Sequence, residues 1–105
     1  MIDEVENIKH HFSSGVYAKQ ATIPAGAFVV QHKHEHDHMS ILASGHVLVL
    51  VEDEATEYVA PACITIAAGK NHCVKAFTDS VWFCIHATDE TDENKVDQVL
   101  IAKGE

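Results

Sequence analysis

The sequence predicts an all-β domain, built as a sandwich or a barrel. From residue 16 onward, eight short β-type runs follow one another along the chain. Turn-like or strongly polar breaks, such as PAG, SG, EDEA and AAGKN, separate these runs. Seven or eight short strands joined by tight connections are typical of sandwiches and barrels.

The predicted strands begin after a different kind of N-terminal segment. Residues 1–12 place Ile2, Val5, Ile8 and Phe12 at a loose helical spacing, which favours an N-terminal arm or a short helix. Residues 13–105 then form a single domain. Its predicted strands span residues 16–23, 27–34, 40–44, 46–52, 57–60, 63–67, 72–77 and 81–86. A last segment, 97–103, is predicted as a strand or as one helical turn.

Composition and charge exclude several classes of protein. The chain has 105 residues, of which 47% are hydrophobic, and this fits one folded domain. Its net charge of −9 repels phosphate backbones and anionic lipid, so we expect neither nucleic acid nor a membrane as a partner. No apolar run approaches the ~20 residues of a membrane helix, and the acidic N-terminus does not resemble a signal peptide. We therefore expect a soluble, cytoplasmic protein.

The cysteines give no indication of function, whereas the histidines do. Cys63, Cys73 and Cys84 form no CxxC pair, which favours reduced and individually buried thiols. Nine histidines in 105 residues are the compositional anomaly. Function is therefore to be sought among the histidines.

Four of these histidines stand at alternating positions in the stretch HKHEHDH, residues 32–38. Side chains alternate between the two faces of a strand, so the even residues Phe28 and Val30 predict an inward face that continues to His32 and His34. Two residues of separation, ~6.6 Å along a strand, let both imidazoles bind one metal ion. His38 can join them only if the chain turns at residues 35–37. His36 would then lie in solvent at the apex of that turn.

Written with its spacing, this part of the chain is Gly26-x5-His32-x-His34-x3-His38-x6-Gly45. It resembles the first motif of the cupin superfamily, G-x5-H-x-H-x3,4-E-x6-G. Each defining position is matched except one, where His38 stands in place of the glutamate.

A second stretch resembles the second cupin motif, G-x5-P-x-G-x2-H-x3-N, at fewer positions. Gly69 and His72 match, whereas Pro61, Ala67 and Ala76 replace the expected Gly, Pro and Asn. Together the two motifs extend the resemblance over about residues 16–88.

The resemblance implies a small jelly-roll β-barrel with one divalent transition metal inside. Carried over position by position, the metal ligands would be His32, His34, His38 and His72. This set is similar to that of small single-domain cupins with four histidine ligands, which favours manganese or iron over nickel, zinc or copper. Octahedral coordination would leave two positions open for substrate or dioxygen, whereas a tetrahedral zinc site would be closed.

The lining of the pocket is predicted only in part. Phe28, Val30, Leu42 and Val74 are expected to form an apolar wall. In the run VWFCIH the sequence leaves two arrangements open. Either Trp82, Cys84 and His86 face the pocket, or Val81, Phe83 and Ile85 do. In the first arrangement His86 becomes a candidate catalytic residue, and Tyr17 is the other candidate base.

These observations support three hypotheses on function. The first is a metal-dependent oxygenase, dioxygenase-like in its chemistry, that acts on a small organic substrate. The second is a non-redox isomerase or lyase, in which the metal polarises a carbonyl group. The third is a small-ligand or metal-binding module without catalysis. A homodimer is also expected, because small single-domain cupins tend to pair and Ile2, Val5 and Ile8 are apolar.

Overall fold

Nine β-strands make up the part of the chain that this computed structural model describes, residues 7–31, 37–88 and 91. The strands are β1 (Ile8–Ser13), β2 (Val16–Ile23), β3 (Phe28–Gln31), β4 (His38–Ser44), β5 (His46–Val51), β6 (Glu54–Val59), β7 (Ala62–Ile66), β8 (His72–Ala76) and β9 (Ser80–Ala87). The described residues include no helix, and the predicted all-β class is confirmed. Within this part of the chain, no helix is long and apolar enough to span a membrane.

The strands form two antiparallel sheets that face each other. The five-stranded sheet has the order β1-β2-β9-β4-β7, and the four-stranded sheet has the order β3-β8-β5-β6. Consecutive strands such as β4 and β5 belong to different sheets, so the chain crosses repeatedly between them. This arrangement is that of a jelly-roll barrel.

The core lies between the two sheets, and strict alternation of side chains builds it. Along β9, four even-numbered residues from Ser80 to His86 are buried, whereas the odd-numbered residues are partly exposed. The buried apolar side chains from both sheets form one cluster: Ala21, Ile23, Leu42, Val47, Val49, Ile64, Ile66, Val74, Ala76, Trp82 and Cys84.

Most strands lie where the sequence predicts them, and three regions differ. Residues 8–12 form part of the strand β1, so of the two predicted alternatives, an arm or a short helix, the helix is wrong there. β4 begins at His38, two residues before the predicted start. β6 begins at Glu54, three residues before the predicted start at residue 57. The charged residues there suggested a loop, but β6 is an edge strand with exposed side chains, and such a strand can carry charges. Residues Ile2 and Val5 and the segment 97–103 lie outside the described residues.

Gly45 makes the crossing from β4 to β5, and it lies in a tight space. Its φ of +100° belongs to the region that favours glycine. A Cβ atom at Gly45 would lie 2.1 Å from Ser80 Oγ and 2.7 Å from the backbone oxygen of Asp79. The Ser80 hydroxyl group donates to the Thr78 carbonyl group (2.8 Å) and accepts from the His46 amide group (3.2 Å). These bonds hold the start of β9 directly against the crossing.

Candidate metal centre

Three rows of side chains cross the inner face of the five-stranded sheet. The strand register defines them. The first row is Phe12, Tyr17, His86, His38 and Ile66; the second is His10, Lys19, Cys84, Ser40 and Ile64; the third is Ile8, Ala21, Trp82, Leu42 and Ala62. The first two rows contain the polar and ionisable side chains, and the third is apolar. One end of the barrel is therefore polar, and the next layer is apolar core.

His38 and His72 meet at the polar end of the barrel, although they come from different sheets. His38 begins β4 and is 5% exposed, and His72 begins β8 and is 3% exposed. Their ring centroids are 5.5 Å apart. A metal–nitrogen bond of ~2.0–2.1 Å puts an imidazole centre about 3.2 Å from the ion, so two rings on one ion can lie up to about 6.4 Å apart. The observed separation fits two ligands of one metal.

The other two predicted ligands, His32 and His34, lie outside the described residues, as does His36. Within residues 7–31, 37–88 and 91, no group of three His, Cys, Asp or Glu side chains is arranged to hold a metal. The described part of the chain thus brings together two of the four predicted ligands. The complete four-histidine set remains a prediction.

His86 faces the interior and lies beside His38. Its side chain is 7% exposed, and its ring centroid is 4.6 Å from that of His38. Trp82 and Cys84 face the same way, so the structure selects the first of the two arrangements that the sequence left open. Sequence alternation could not decide between them, because Val81, Phe83 and Ile85 are also apolar. These three residues lie on the outer face.

Tyr17 extends the row of rings away from His38. It is fully buried, and its ring stacks 6.2 Å from that of His86 and 5.0 Å from that of Phe12. The Tyr17 hydroxyl group forms a hydrogen bond of 2.7 Å with His10 Nδ1 on β1. The row therefore connects the edge strand β1 with the pair formed by His38 and His72.

The predicted apolar wall needs a correction at β3. Val30 is 51% exposed and pairs with Cys73, and Phe28 pairs with Lys75 on the same outer face. Ala27 and Val29 pack against the core instead. The prediction is wrong for Phe28 and Val30, because FVVQ has apolar residues on both faces and its parity is ambiguous. The parity argument that placed His32 and His34 inside therefore loses its basis.

The other predicted pocket residues are all buried. Leu42, Val74 and Trp82 are inaccessible to solvent, and Cys84 is almost so. Trp82 Nε1 has no hydrogen-bond partner among the described residues. Trp82 and Leu42, which lie in the apolar third row, separate the polar rows from the opposite end of the barrel.

Sequence reasoning missed Lys19 and Ser40, which lie in the second row on either side of Cys84. The Ser40 hydroxyl group donates to Cys84 Sγ at 3.9 Å. A usable signal existed for Lys19, because Tyr17 and Ala21 share its parity in the run VYAKQATI and both are buried. The same signal existed for Ser40, because His38 and Leu42 share its parity in β4 and both are buried.

The cysteines are all free thiols, but they differ in exposure. Cys84 is buried, Cys73 is half-buried and Cys63 is exposed, so the prediction of individually buried thiols is wrong for Cys63. Burial raises the pKa of the Cys73 thiol above its ordinary value, although the positive charge of Lys75 acts in the opposite direction. The Cys73 thiol therefore stays protonated at neutral pH.

Asp37 ties together the two chain segments that lead to His38 and His72. Its Oδ1 atom accepts a hydrogen bond of 2.7 Å from the amide group of Ala68, in the turn between β7 and β8. Asp37 directly precedes His38, and Ala68 lies four residues before His72. The bond therefore fixes the approach of one predicted ligand to the other.

We expect Asp37→Ala to weaken metal binding by roughly 10-fold, since groups that orient ligands contribute about that much to metal affinity. A titration of the metal-loaded protein with a competing chelator measures the change. The matched control is Asp79→Ala, which removes a comparable bond of 2.9 Å from the Ala25 amide group. Asp79 lies beyond the other end of β8, so equal losses in the two variants would contradict the assignment.

Comparison with solved structures identifies the fold of this chain. No protein-family model matches the sequence, and no curated protein matches it either. Among solved structures, the chain is similar to a cupin 2 domain-containing protein from Halorhodospira halophila. The TM-score is 0.69 and the identity is 18%, over 92% of this chain and 77% of that chain.

Two further solved structures show the same likeness. KdgF from Halomonas sp. has a TM-score of 0.69 and 20% identity, over 84% of this chain and 87% of that chain. An RmlC-like cupin family protein from Methanocaldococcus jannaschii, with a double-stranded β-helix fold, has a TM-score of 0.66. Its identity is 13%, over 77% of this chain and 78% of that chain. At these identities the likeness establishes the architecture, and the chain has the double-stranded β-helix fold of the cupins.

Proposed function

We propose that this chain binds one divalent transition metal through His32, His34, His38 and His72. The observation that carries the proposal is the meeting of His38 and His72, which come from different sheets with ring centroids 5.5 Å apart in the buried interior. The motif that resembles the first cupin motif supplies His32 and His34. Imidazole is a good ligand for iron, zinc, copper and nickel, and the resemblance favours iron or manganese.

We further propose that the metal serves an oxygenase, dioxygenase-like in its chemistry, that acts on a small organic substrate. Iron or manganese at this place would supply a redox-active, strongly Lewis-acidic ion, because four neutral imidazoles cancel none of its double charge. The chain itself supplies a closed apolar wall, formed by Leu42, Val74 and Trp82, that excludes water behind the site. Ser40 and Lys19 supply polar contacts beside it.

Dioxygen uptake tests the oxygenase proposal. The protein is loaded with Fe²⁺ or Mn²⁺ and screened with small chelating substrates that are rich in electrons, such as 1,3-diketones and ortho-diphenols. We expect uptake with at least one of them, and none with a metal-free His72→Ala control. Metal-loaded protein that consumes no dioxygen across the screen would contradict the oxygenase.

A second candidate function is a non-redox isomerase or lyase, and the position of His86 favours it. The imidazole of His86 lies 4.6 Å from that of His38, as expected of a general base beside a metal ligand. Tyr17 and the hydrogen-bonded His10 lie behind it in the same part of the barrel. This reaction would exchange a proton next to a carbonyl group and would need no dioxygen.

Proton exchange measured without oxygen separates this candidate from the oxygenase. The metal-loaded protein is incubated with a small hydroxyketone in D₂O, and deuterium incorporation is followed by NMR. We expect His86→Ala to lower the exchange rate about 100-fold or more while the metal stays bound. The control is His11→Ala, an exposed histidine on β1. Wild-type protein that takes up neither dioxygen nor deuterium would favour the binding module without catalysis.

A further inference from the structure

Charged side chains are distributed unevenly between the surface and the interior of this barrel. The structure describes six acidic side chains and four lysines, and all of them except Lys19 are exposed. Lys19 lies in the middle of β2 and is half-buried. Among these ten described side chains, the one that is partly withdrawn from water is therefore a cation.

Lys19 lies on the inner face of the five-stranded sheet. Tyr17 and Ala21 share its parity on β2 and are buried, and its register partner on β9 is the buried Cys84. Ser40 on β4 continues the same row beyond Cys84. Lys19 thus belongs to the second polar row, directly beside the row that contains a predicted metal ligand.

The strand spacing brings Lys19 within the reach of a small molecule bound at His38. One strand, β9, separates β2 from β4, so the two backbone positions are about 9.6 Å apart across the sheet and ~6.6 Å apart along it. Their Cα atoms are therefore roughly 12 Å apart. Both side chains are long and rise from the same face of the sheet. A molecule of a few carbon atoms can bridge the ammonium group and a metal on His38.

Positive charge accumulates at this end of the barrel. In the proposed site the imidazole ligands are neutral, so a divalent metal keeps its double charge. Lys19 adds a further positive charge in the neighbouring row. Its ammonium group has three N–H donors, so it can bind a ligand in addition to groups of the protein. Electrostatic complementarity therefore favours a bound molecule that carries negative charge.

We propose that the substrate is a small organic acid, whose carboxylate group binds Lys19 while its other end chelates the metal. The proposal rests on the metal site proposed above and adds a substrate class to it. The net charge of −9 repels anions outside the protein, but salt screens this repulsion beyond ~8 Å at physiological ionic strength. The choice between acids and neutral molecules is therefore made inside the barrel, where Lys19 lies.

Two points of attachment would also fix the orientation of the substrate. Ligand sites combine a mostly apolar wall with a few polar groups that set the position of the bound molecule. Here Trp82 and Leu42 form the apolar layer beside the polar rows, and Lys19 and the metal are the two polar anchors. The carbon atoms between the carboxylate and the chelating group would then lie over the inner face of β9.

Calorimetric titration with two matched probes tests the proposal. The protein is loaded with Mn²⁺, kept free of dioxygen, and titrated with 4,6-dioxoheptanoate or with heptane-2,4-dione. Both probes chelate through a 1,3-diketone, and they differ in a terminal carboxylate group in place of a methyl group. We expect the wild-type protein to bind the acid about 10-fold or more tightly, since hydrogen bonds between charged groups contribute about that much.

Three variants assign the preference to its residue. Lys19→Met removes the charge and keeps the length of the side chain, so the preference for the acid should disappear while the metal and the neutral diketone still bind. Lys19→Arg keeps the charge and should retain most of the preference. The matched control is Lys9→Met, which removes an exposed lysine from the outer face of the neighbouring strand β1 and should leave the preference unchanged.

Each result decides the proposal. A preference that is lost in Lys19→Met and kept in Lys9→Met supports it. Equal binding of the two probes by wild-type protein, or an unchanged preference in Lys19→Met, overturns it and leaves the metal site standing. Loss of the preference in both methionine variants, or loss of the neutral diketone in Lys19→Met, would assign Lys19 a general or structural role and also overturn it. Wild-type protein that retains no Mn²⁺ overturns the metal site, and this proposal with it.

Discussion

Replacement of His72 by alanine is expected to remove most of the bound metal. His72 is the one predicted ligand on the four-stranded sheet within the described residues, and it is buried beside His38. Loss of a group that only orients a ligand lowers metal affinity 10–100-fold, so loss of a ligand itself should cost roughly 100-fold or more. Mass spectrometry of acid-digested protein gives the metal content after purification without added metal.

Two controls accompany His72→Ala. His36→Ala removes the histidine that is predicted to lie at the apex of the turn, and His11→Ala removes an exposed histidine on β1. Neither should change the metal content by more than a small fraction. Equal losses in His72→Ala and His36→Ala would mean that the turn, and with it the ligand set, is wrongly assigned.

Gly45→Ala should destabilise the fold by about 3–5 kcal/mol, the largest effect that we expect from any single methyl group in this chain. Part of this cost is the φ of +100°, which is unfavourable for residues other than glycine. The rest is steric, because the new Cβ atom would lie 2.7 Å from backbone atoms of Asp79 and Ser80. Backbone atoms of a paired strand cannot move aside as a flexible side chain can.

Gly26→Ala separates the two contributions. Gly26 has a φ of +85°, but a Cβ atom there would have nothing within 4 Å. Its cost should be only about 1–2 kcal/mol, from the backbone alone. Equilibrium unfolding in urea measures the free energy of unfolding for both variants. If the two alanines cost the same, the steric argument at Gly45 is wrong.

The strands were predictable where side-chain alternation was unambiguous. In β2, Tyr17, Ala21 and Ile23 are buried on one face, and the predicted bounds match the structure. In β1 the inward residues are Ile8, His10 and Phe12. The polar His10 in the middle hid that alternation, and the remaining apolar residues suggested a helix.

The positions of the candidate ligands could be predicted from motif spacing. The direction in which side chains point was predicted less well from alternation along the strands. His38 and His72 were identified from two motifs that lie far apart in the sequence, and the fold brings them together. The inward orientation of His86 could not be derived, because both faces of β9 are apolar. At β3 the same ambiguity led to the wrong face for Phe28 and Val30. Where both sides of a strand are apolar, only tertiary contacts select the buried one.

The three rows of the inner face divide the barrel into a polar end and an apolar layer, and these two parts tolerate substitutions to different degrees. The apolar row, which contains Trp82 and Leu42, lies within the cluster that holds the sheets together. The rows with Lys19, Ser40 and His86 contain less apolar surface, so substitutions there sacrifice less of the hydrophobic stabilisation. Substitutions that introduce new polar side chains around the histidines can therefore be tolerated, because the adjacent apolar row keeps the barrel folded. The chemistry of the histidine end can therefore change without a change of fold.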